Sequence, residues 1–258
     1  MIRPKGLDLF CGAGGCSKGY TDAGIDMTGV DLYPQRHYPY RFAQADWNEY
    51  LAEHWREFDF IHASPPCQAY SGMRRITLSR FGVAPEHPDL IAAVRDALIR
   101  TGKPFVIENV PGAPLHTQLV LCGAAMGLPH LARHRHFESN LLLMSGPPCQ
   151  HRRNTYTIGI YGDKPDGRRV SYRQHRLVRV ARSLNEAAYE MGIDWMDWNE
   201  ITQAIPPAYT RFIGTQIMWA LGLASNTASS RLPEIAGLWD TAENEALSVA
   251  PAAADAHR

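Results

Sequence analysis

"GLDLFCGAGGCSKGYTDAG", residues 6–24, reads as a short apolar run, a glycine-rich turn and a helix closed by Gly24. Strand, tight turn and helix in that order open an α/β sheet, and the chain repeats the theme. "MTGVDL" (27–32) and "RFAQAD" (41–46) are predicted strands ending in acids. "WNEYLAEHWREF" (47–58) has helical spacing, and "DFIHAS" (59–64) is again a strand. "HPDLIAAVRDALIRTG" (87–102) predicts an amphipathic helix stopped at Gly102. "PFVIENV" (104–110) predicts a buried strand from its β-branched content. The alternation implies a doubly wound α/β sheet with a parallel core.

Beyond residue 110 the pattern loosens. "LVLCGAAMG" (119–127) reads as a short helix and "RHFESNLLLM" (135–144) as a strand. From Ser145 to Arg182 Gly, Pro, Arg and Tyr dominate, which predicts an inserted β-rich or loop-rich unit. "LNEAAYEMG" and "PPAYTRFIGTQIMWALGL" return to helix, the second with Pro206 near its first turn. After Ala224 a mobile tail is expected, with a short helix around "LPEIAGLW". The expected divisions are therefore 1–144 for the main domain, 145–182 for the insert, 183–223 for returning helices and 224–258 for the tail.

Lys plus Arg and Asp plus Glu number 26 each, so the net charge is zero, but the distribution is uneven. Between Arg133 and Arg182 the cations include Arg152, Arg153, Lys164, Arg168, Arg169, Arg173, Arg176 and Arg179, against the acids Glu138, Asp163 and Asp166. A basic block beside a neutral body suits a polyanion, or else is a solvated surface. No run approaches the ~18 apolar residues of a membrane span. The start, "MIRPKGLDLFCG", lacks a long apolar run, so no secretory leader is expected. Five cysteines at irregular spacing argue against a disulfide framework and for a reducing, cytoplasmic setting. Cys11 and Cys16 lack the spacing of a zinc pair, and no metal is expected.

The glycine turn can hold a ligand. Gly12, Gly14 and Gly15 let the backbone approach it, and the helix start offers amides to an anion. The spacing is tighter than in dinucleotide-binding turns, with the aromatic Phe10 just before it. Asp31, ending the second strand, can accept two ribose hydroxyls; Asp46, ending the third, is placed to hold an adenine amino group. Together they suit a nucleoside with a small charged tail. "SPPCQAYSG" (64–72) then sets Cys67 a few residues past a strand, on the same sheet edge. A cysteine there is either a packed thiol or a nucleophile, which must become a thiolate. The polar loop from Ala69 to Glu86 is long enough to be a lid. Glu108 ends its strand in "ENV", where it would face the same cleft.

The order "DLFCGAGG", an acid, "SPPCQ", "ENV", "RHR" resembles the cytosine-C5 DNA methyltransferases, from about Leu7 to Phe137, and the resemblance resumes in "TQAIPPAYTRFIG" (202–214). It implies a Rossmann-like, S-adenosylmethionine-dependent methyltransferase sheet with a small target-recognition region. The main domain would be catalytic and cofactor-binding, and the insert would read DNA. Phe10, Gly12, Gly14, Asp31, Asp46, Pro65 and Gln203 would hold S-adenosylmethionine. Cys67 would be the nucleophile at cytosine C6, Glu108 the group at N3, and Arg133 and Arg135 the family's Arg-x-Arg element, with Arg135 on the ring's O2 edge or the Cys67 loop. A second Pro-Pro-Cys-Gln, at Cys149, falls after these elements, inside the basic insert. Departures are Leu131 where the family usually has Gln, Gln203 in place of Asn, and Asp31 in place of Glu.

The resemblance implies a flipped-out cytosine in double-stranded DNA as the target. Arg74, Arg75 and Arg80 would close over the duplex, and the insert would occupy the major groove. Tyr156, Tyr161 and Tyr172 are expected mostly to pack. A monomer is expected, with a cognate restriction endonuclease as a candidate partner. The competing readings are the same chemistry on tRNA, a nucleotide-level pyrimidine enzyme, and a DNA-binding regulator with a dead site.

Overall fold

The computed structural model describes residues 3–67, 70, 89–149, 156–172 and 176–223. In chain order the elements are β1 (Lys5–Leu9), α1 (Gly15–Asp22), β2 (Asp26–Asp31), β3 (Arg41–Gln44), α2 (Trp47–His54), β4 (Phe60–Ala63), α3 (Ile91–Thr101), β5 (Phe105–Asn109), β6 (Leu119–Cys122) and β7 (His134–Ser139). After them come β8 (Tyr156–Gly159), β9 (Arg169–Tyr172), β10 (Arg176–Val180), α4 (Leu184–Met191), α5 (Trp198–Gln203) and α6 (Pro207–Ala220). Residues 1–222 form one unit and 223–258 a second; the fold described is that of the first. Apart from residue 70, the expected lid at 69–86, together with Arg152, Arg153 and the tail, lies outside the described residues. Among the described residues no helix is long and apolar enough to cross a membrane.

Seven strands form the main sheet in the order β3-β2-β1-β4-β5-β7-β6. The first five are parallel, and β7 runs antiparallel to both β5 and β6. The chain steps outward from β1 to β3, then returns to place β4 on the other side of β1. This reversal opens a crevice beyond the carboxyl ends of β1 and β4, where open α/β sheets bind ligands. Because Leu9 pairs with Ala63, the glycine turn after β1 and the Pro-Pro-Cys loop after β4 leave the sheet side by side.

Side-chain alternation decides what each face carries. Leu7, Leu9, Ile61, Ala63, Phe105 and Ile107 pack on one face with Val94 and Leu98 of α3 and Leu51 of α2. Phe60, Val106 and Phe137 pack on the other with Tyr20 of α1 and Tyr209, Ile213 and Ile217 of α6. Fully burying each of these larger side chains contributes about 1.5–3 kcal/mol. The same alternation sends Asp8, His62, Glu108 and Arg135 to the α1/α6 face, near its carboxyl edge.

Three sequence expectations need correction. Residues 119–127 are not a helix: Leu119–Cys122 is strand β6, and only Gly123–Met126 turn, as a 3-10 turn. Leu119 and Leu121 are buried while Val120 is exposed, so the run has period two. The strand expected over 135–144 ends at Ser139. Strand β3 stops at Gln44, and Asp46 is instead the N-cap of α2, its Oδ1 accepting the amides of Asn48 and Glu49 at 2.8 and 3.3 Å. Helix α5 was not anticipated; its start is a capping box between Asp197 and Glu200.

The insert contains a three-stranded sheet, β8-β10-β9, backed by α4 and α5 through Ile158, Ile160, Val180, Met191 and Ile201. Among the described residues its basic character is smaller on the surface than in the sequence. Arg179 is buried and grips Glu186 through two nitrogens, at 2.7 and 2.5 Å, fastening β10 to α4. The Tyr156 hydroxyl accepts the Arg179 Nε–H. Arg133 and Arg135 also point inward. Lys164, Arg168, Arg169 and Arg182 are exposed cations among the described residues, with Arg168 3.5 Å from Asp166.

Candidate active site

The glycine turn is strained in a way only a few residues allow. Phe10 is the non-glycine residue with positive φ among those described, at 62°. Gly12 follows at 48° and Gly14 at 86°. A Cβ on Gly14 would overlap the Tyr38 ring at 2.9 Å, whereas one on Gly12 would meet nothing within 4 Å. Gly12 thus fronts open space at the mouth of the crevice. Its amide donates to Asp31 Oδ2 at 3.1 Å, and the Tyr33 amide donates to Oδ1 at 3.1 Å. An ionised carboxylate has further lone pairs, so Asp31 can still accept hydroxyls. Asp46 keeps its Oδ2, because only Oδ1 caps α2.

Other parts of the turn's support carry no sequence signature. Trp195, in the link between α4 and α5, donates its indole N–H to the Ala13 carbonyl at 2.8 Å. The Tyr38 hydroxyl lies 2.7 Å from that of Ser17. Gln203 is exposed and its amide reaches back to the Asn199 carbonyl at 3.5 Å. The Ile205 carbonyl, two residues on, packs against Gly15, so the α5 terminus borders the turn.

Cys67 stands on the neighbouring loop. Buried Asn109, next to Glu108, donates its side-chain amide to the Pro65 carbonyl at 2.9 Å. That bond ties the Pro-Pro-Cys loop to β5, so the positions of thiol and carboxyl are set together. The sequence position of Asn109, in "ENV", carries no signal of this tether. The Cys67 thiol is pushed above its ordinary range by burial; Arg135 and Arg133 pull it down and Glu108 pushes it up. Each group therefore lies within electrostatic reach of the others.

Glu108 is almost fully buried. Its pairing with Phe137 puts Arg135 diagonally across on the same face, and Arg135 Nε lies 2.9 Å from Glu108 Oε1. The N–H is not aimed along that line, so Oε1 has charge contact without an aligned hydrogen bond among the described residues. Burial raises the Glu108 pKa; Arg135, Arg133 and a hydrogen bond from Ser64 lower it by less. The Ser64 oxygen is 2.8 Å from His62 Nε2, and His62 Nδ1 is 2.9 Å from the Tyr20 hydroxyl. His62 therefore links Tyr20 to Ser64, next to Glu108.

Arg133 does not pair with Glu108 as Arg135 does. Its guanidinium donates to the Ile160 and Thr202 carbonyls at 3.2 and 2.5 Å, bracing the insert against α5. Burial, then the Arg135 charge, pull its pKa down to about 9. Cys149 is exposed and lies instead beside His134, Sγ to Nε2 3.3 Å.

Beneath the turn, Asp8 is fully buried and accepts the Ser17 hydroxyl at 2.5 Å. Burial pushes its pKa up to about 7, with Ser17 opposing and Asp31 and Glu108 assisting. Burial also pulls His62 down to about 3. The two act oppositely on stability. For Asp8, whose folded pKa is raised, stability is lost as pH climbs from about 4 to about 7. For His62, whose folded pKa is depressed, stability is lost as pH falls from about 6.5 towards about 3. Between pH 4.5 and 6.5 the two slopes cancel in the intact protein. Asp8→Asn is expected to leave stability rising across that window by roughly 2–3 kcal/mol relative to the parent, and His62→Gln to leave it falling by as much. Urea unfolding at the two pH values checks both signs.

Residues 5–120 match the family of C-5 cytosine-specific DNA methylases. Over that stretch, a little under half of its length, the chain is similar to this family. The matched stretch runs from β1 into β6, holds the glycine turn, Cys67 and Glu108, and stops before Arg133 and Arg135. A curated relative, the Type II methyltransferase M.XorII of Xanthomonas oryzae pv. oryzae, is 28% identical over 130 residues. That alignment covers 43% of this chain and 29% of the relative. Two solved structures share the fold. One is a prophage-encoded E. coli protein assigned to the DNA modification methyltransferases, with TM-score 0.53 and 15% identity over 85% of this chain and 99% of that one. The other is the Entamoeba histolytica methyltransferase EhMeth, with TM-score 0.52 and 11% identity over 86% and 99%.

Proposed function

We infer that the protein is a DNA (cytosine-5)-methyltransferase acting through Cys67. The observation that carries this reading is the Asn109 to Pro65 bond. It ties the loop of a half-buried thiol to the strand of a buried carboxyl whose Oε1 has an ion-pair contact but no aligned hydrogen bond, at the sheet's switch point. A flat pyrimidine with one edge to Glu108 and C6 to Cys67 satisfies both.

The residues of the glycine turn fit S-adenosylmethionine, the methyl donor of this family. Gly12 leaves room where a side chain would intrude, and Asp31 and Asp46 retain acceptor oxygens for ribose and adenine. Phe10, packed 5.7 Å from Trp47, lines the same mouth. Pro65 and Gln203 complete the set. Bound there, the cofactor supplies an electrophilic methyl group.

Cytosine C5 is too weak a nucleophile to accept it unaided. Cys67, as thiolate, adds to C6, and the ring becomes an enamine with electron density at C5. Negative charge builds towards N3 during the addition, and Glu108 shares a proton there. Arg135 holds Glu108 in place and favours the thiolate. When the C5 proton leaves, the Cys67–C6 bond breaks and the methylated base is released. A base stacked in a duplex cannot reach so buried a pair, so the target must be flipped out. The small β-sheet of the insert, with Lys164, Arg168, Arg169 and Arg182, is the part that meets DNA phosphates or bases.

Labelled S-adenosylmethionine offered with duplex DNA, tRNA or dCMP tests this reading. The expected product is 5-methylcytosine in the duplex alone. Transfer only to tRNA or dCMP would replace the substrate assignment. Tight duplex binding without transfer would make the protein a regulator. The Type II relative makes a cognate restriction endonuclease the natural partner to seek.

A further inference from the structure

We propose that Cys122, His134 and Cys149 form a binding site for a soft divalent metal ion of the zinc type. Cys122 and His134 face each other directly across the β6–β7 ladder, so their side chains share one face at its open end. The chain then turns back after β7, and Pro147 and Pro148 deliver Cys149 to the same point. Cys122 Sγ, Cys149 Sγ and a His134 ring nitrogen all lie within 4.8 Å of one another. Tetrahedral zinc with sulfur and nitrogen ligands holds them about 3.4–3.8 Å apart. His134 Nε2 and Cys149 Sγ, at 3.3 Å, are already near that separation.

The donor set selects the ion. Two thiolates and an imidazole suit zinc and exclude magnesium or calcium, which take oxygen. Two thiolates also neutralise a divalent ion, so no charge is left uncompensated. Cys122 is buried and Cys149 exposed, so the ion can be reached from solvent, and water can fill a fourth position. Neither cysteine is held in a disulfide. The three positions are far apart in sequence, which is why their spacing reads as no motif. The site would clamp the first residues of the insert to β7, beside Arg133 and Arg135. It also gives the second Pro-Pro-Cys-Gln a role distinct from that of Cys67.

Protein isolated without a polyhistidine tag, in zinc-supplemented medium, is expected to retain about one zinc per chain after desalting. Replacement by cobalt(II) should give thiolate-to-cobalt charge-transfer absorption and the strong visible bands of a tetrahedral ion. Cys149→Ser, at an exposed position where folding is not at risk, should lose both, and added zinc should raise the melting temperature of the parent but not of this variant. His134→Gln should weaken binding at least tenfold. The proposal is overturned if neither zinc nor cobalt is held, if Cys149→Ser leaves the cobalt spectrum unchanged, or if freshly alkylated protein contains a Cys122–Cys149 disulfide.

Discussion

Cys67→Ser is expected to lower methyl transfer to duplex DNA by about 10⁴-fold or more, while Cys149→Ser, which keeps the Cys67 nucleophile, still transfers methyl groups. Serine fills nearly the same volume, so the loop and its Asn109 tether should survive, and an unchanged melting temperature would confirm it. A hydroxyl cannot ionise near neutral pH, whereas the Cys67 thiol, although raised by burial, is drawn towards thiolate by Arg135 and Arg133. A duplex carrying 5-fluorocytosine makes the contrast sharper. Fluorine at C5 cannot leave as a proton, so the sulfur–C6 bond persists and the protein runs as a covalent DNA adduct. That adduct should form with the parent and Cys149→Ser and be absent from Cys67→Ser. An adduct lost only in Cys149→Ser would move the nucleophile to the other Pro-Pro-Cys-Gln.

Both Pro-Pro-Cys-Gln segments follow strands, and their letters alone do not rank them. What separates the two cysteines is topology. Residue 67 leaves β4 beside the glycine turn because β4 returns to pair with β1, and that pairing spans about 50 residues of chain. The local signals were strong where one face of an element is apolar, as in 91–101, or where a glycine stops a helix, as at 102. They failed at 119–122, a four-residue strand with small residues after it, which looks like helix when its partner β7 is unknown. The charge pattern needs a third dimension to be weighed. Counting arginines cannot tell a solvated cation from Arg179, which spends its guanidinium on Glu186, or Arg133, which spends it on backbone carbonyls. Asp46 was legible as an acid after a strand, yet half of its carboxyl caps α2. Trp195, His62 and Ser64 reach the site through tertiary contacts that no spacing announces.

Glu108→Gln is the second variant with a large expected effect, a loss of about 10²–10³-fold in kcat with DNA affinity within about threefold of the parent. Glutamine keeps the shape and can still offer an N–H towards N3, but it cannot give up a proton as charge develops there. The pH profile separates that role from simple packing. Burial raises the Glu108 pKa, so the carboxyl holds its proton further towards neutrality than an exposed glutamate, and loses it as pH rises through the folded value. The Cys67 thiol works in the opposite sense, because thiolate accumulates as pH rises. In the parent, kcat/KM should therefore climb with the thiolate and fall on the alkaline side as Glu108 ionises. In Glu108→Gln the alkaline fall should vanish while the climb remains. Adduct formation with the 5-fluorocytosine duplex should slow by a factor similar to turnover, since the proton is needed during addition of sulfur and not after it. If that adduct forms at the parental rate, or if the alkaline limb survives the substitution, the carboxyl at 108 is not the group at N3. The shared cleft with Cys67 would then need another explanation.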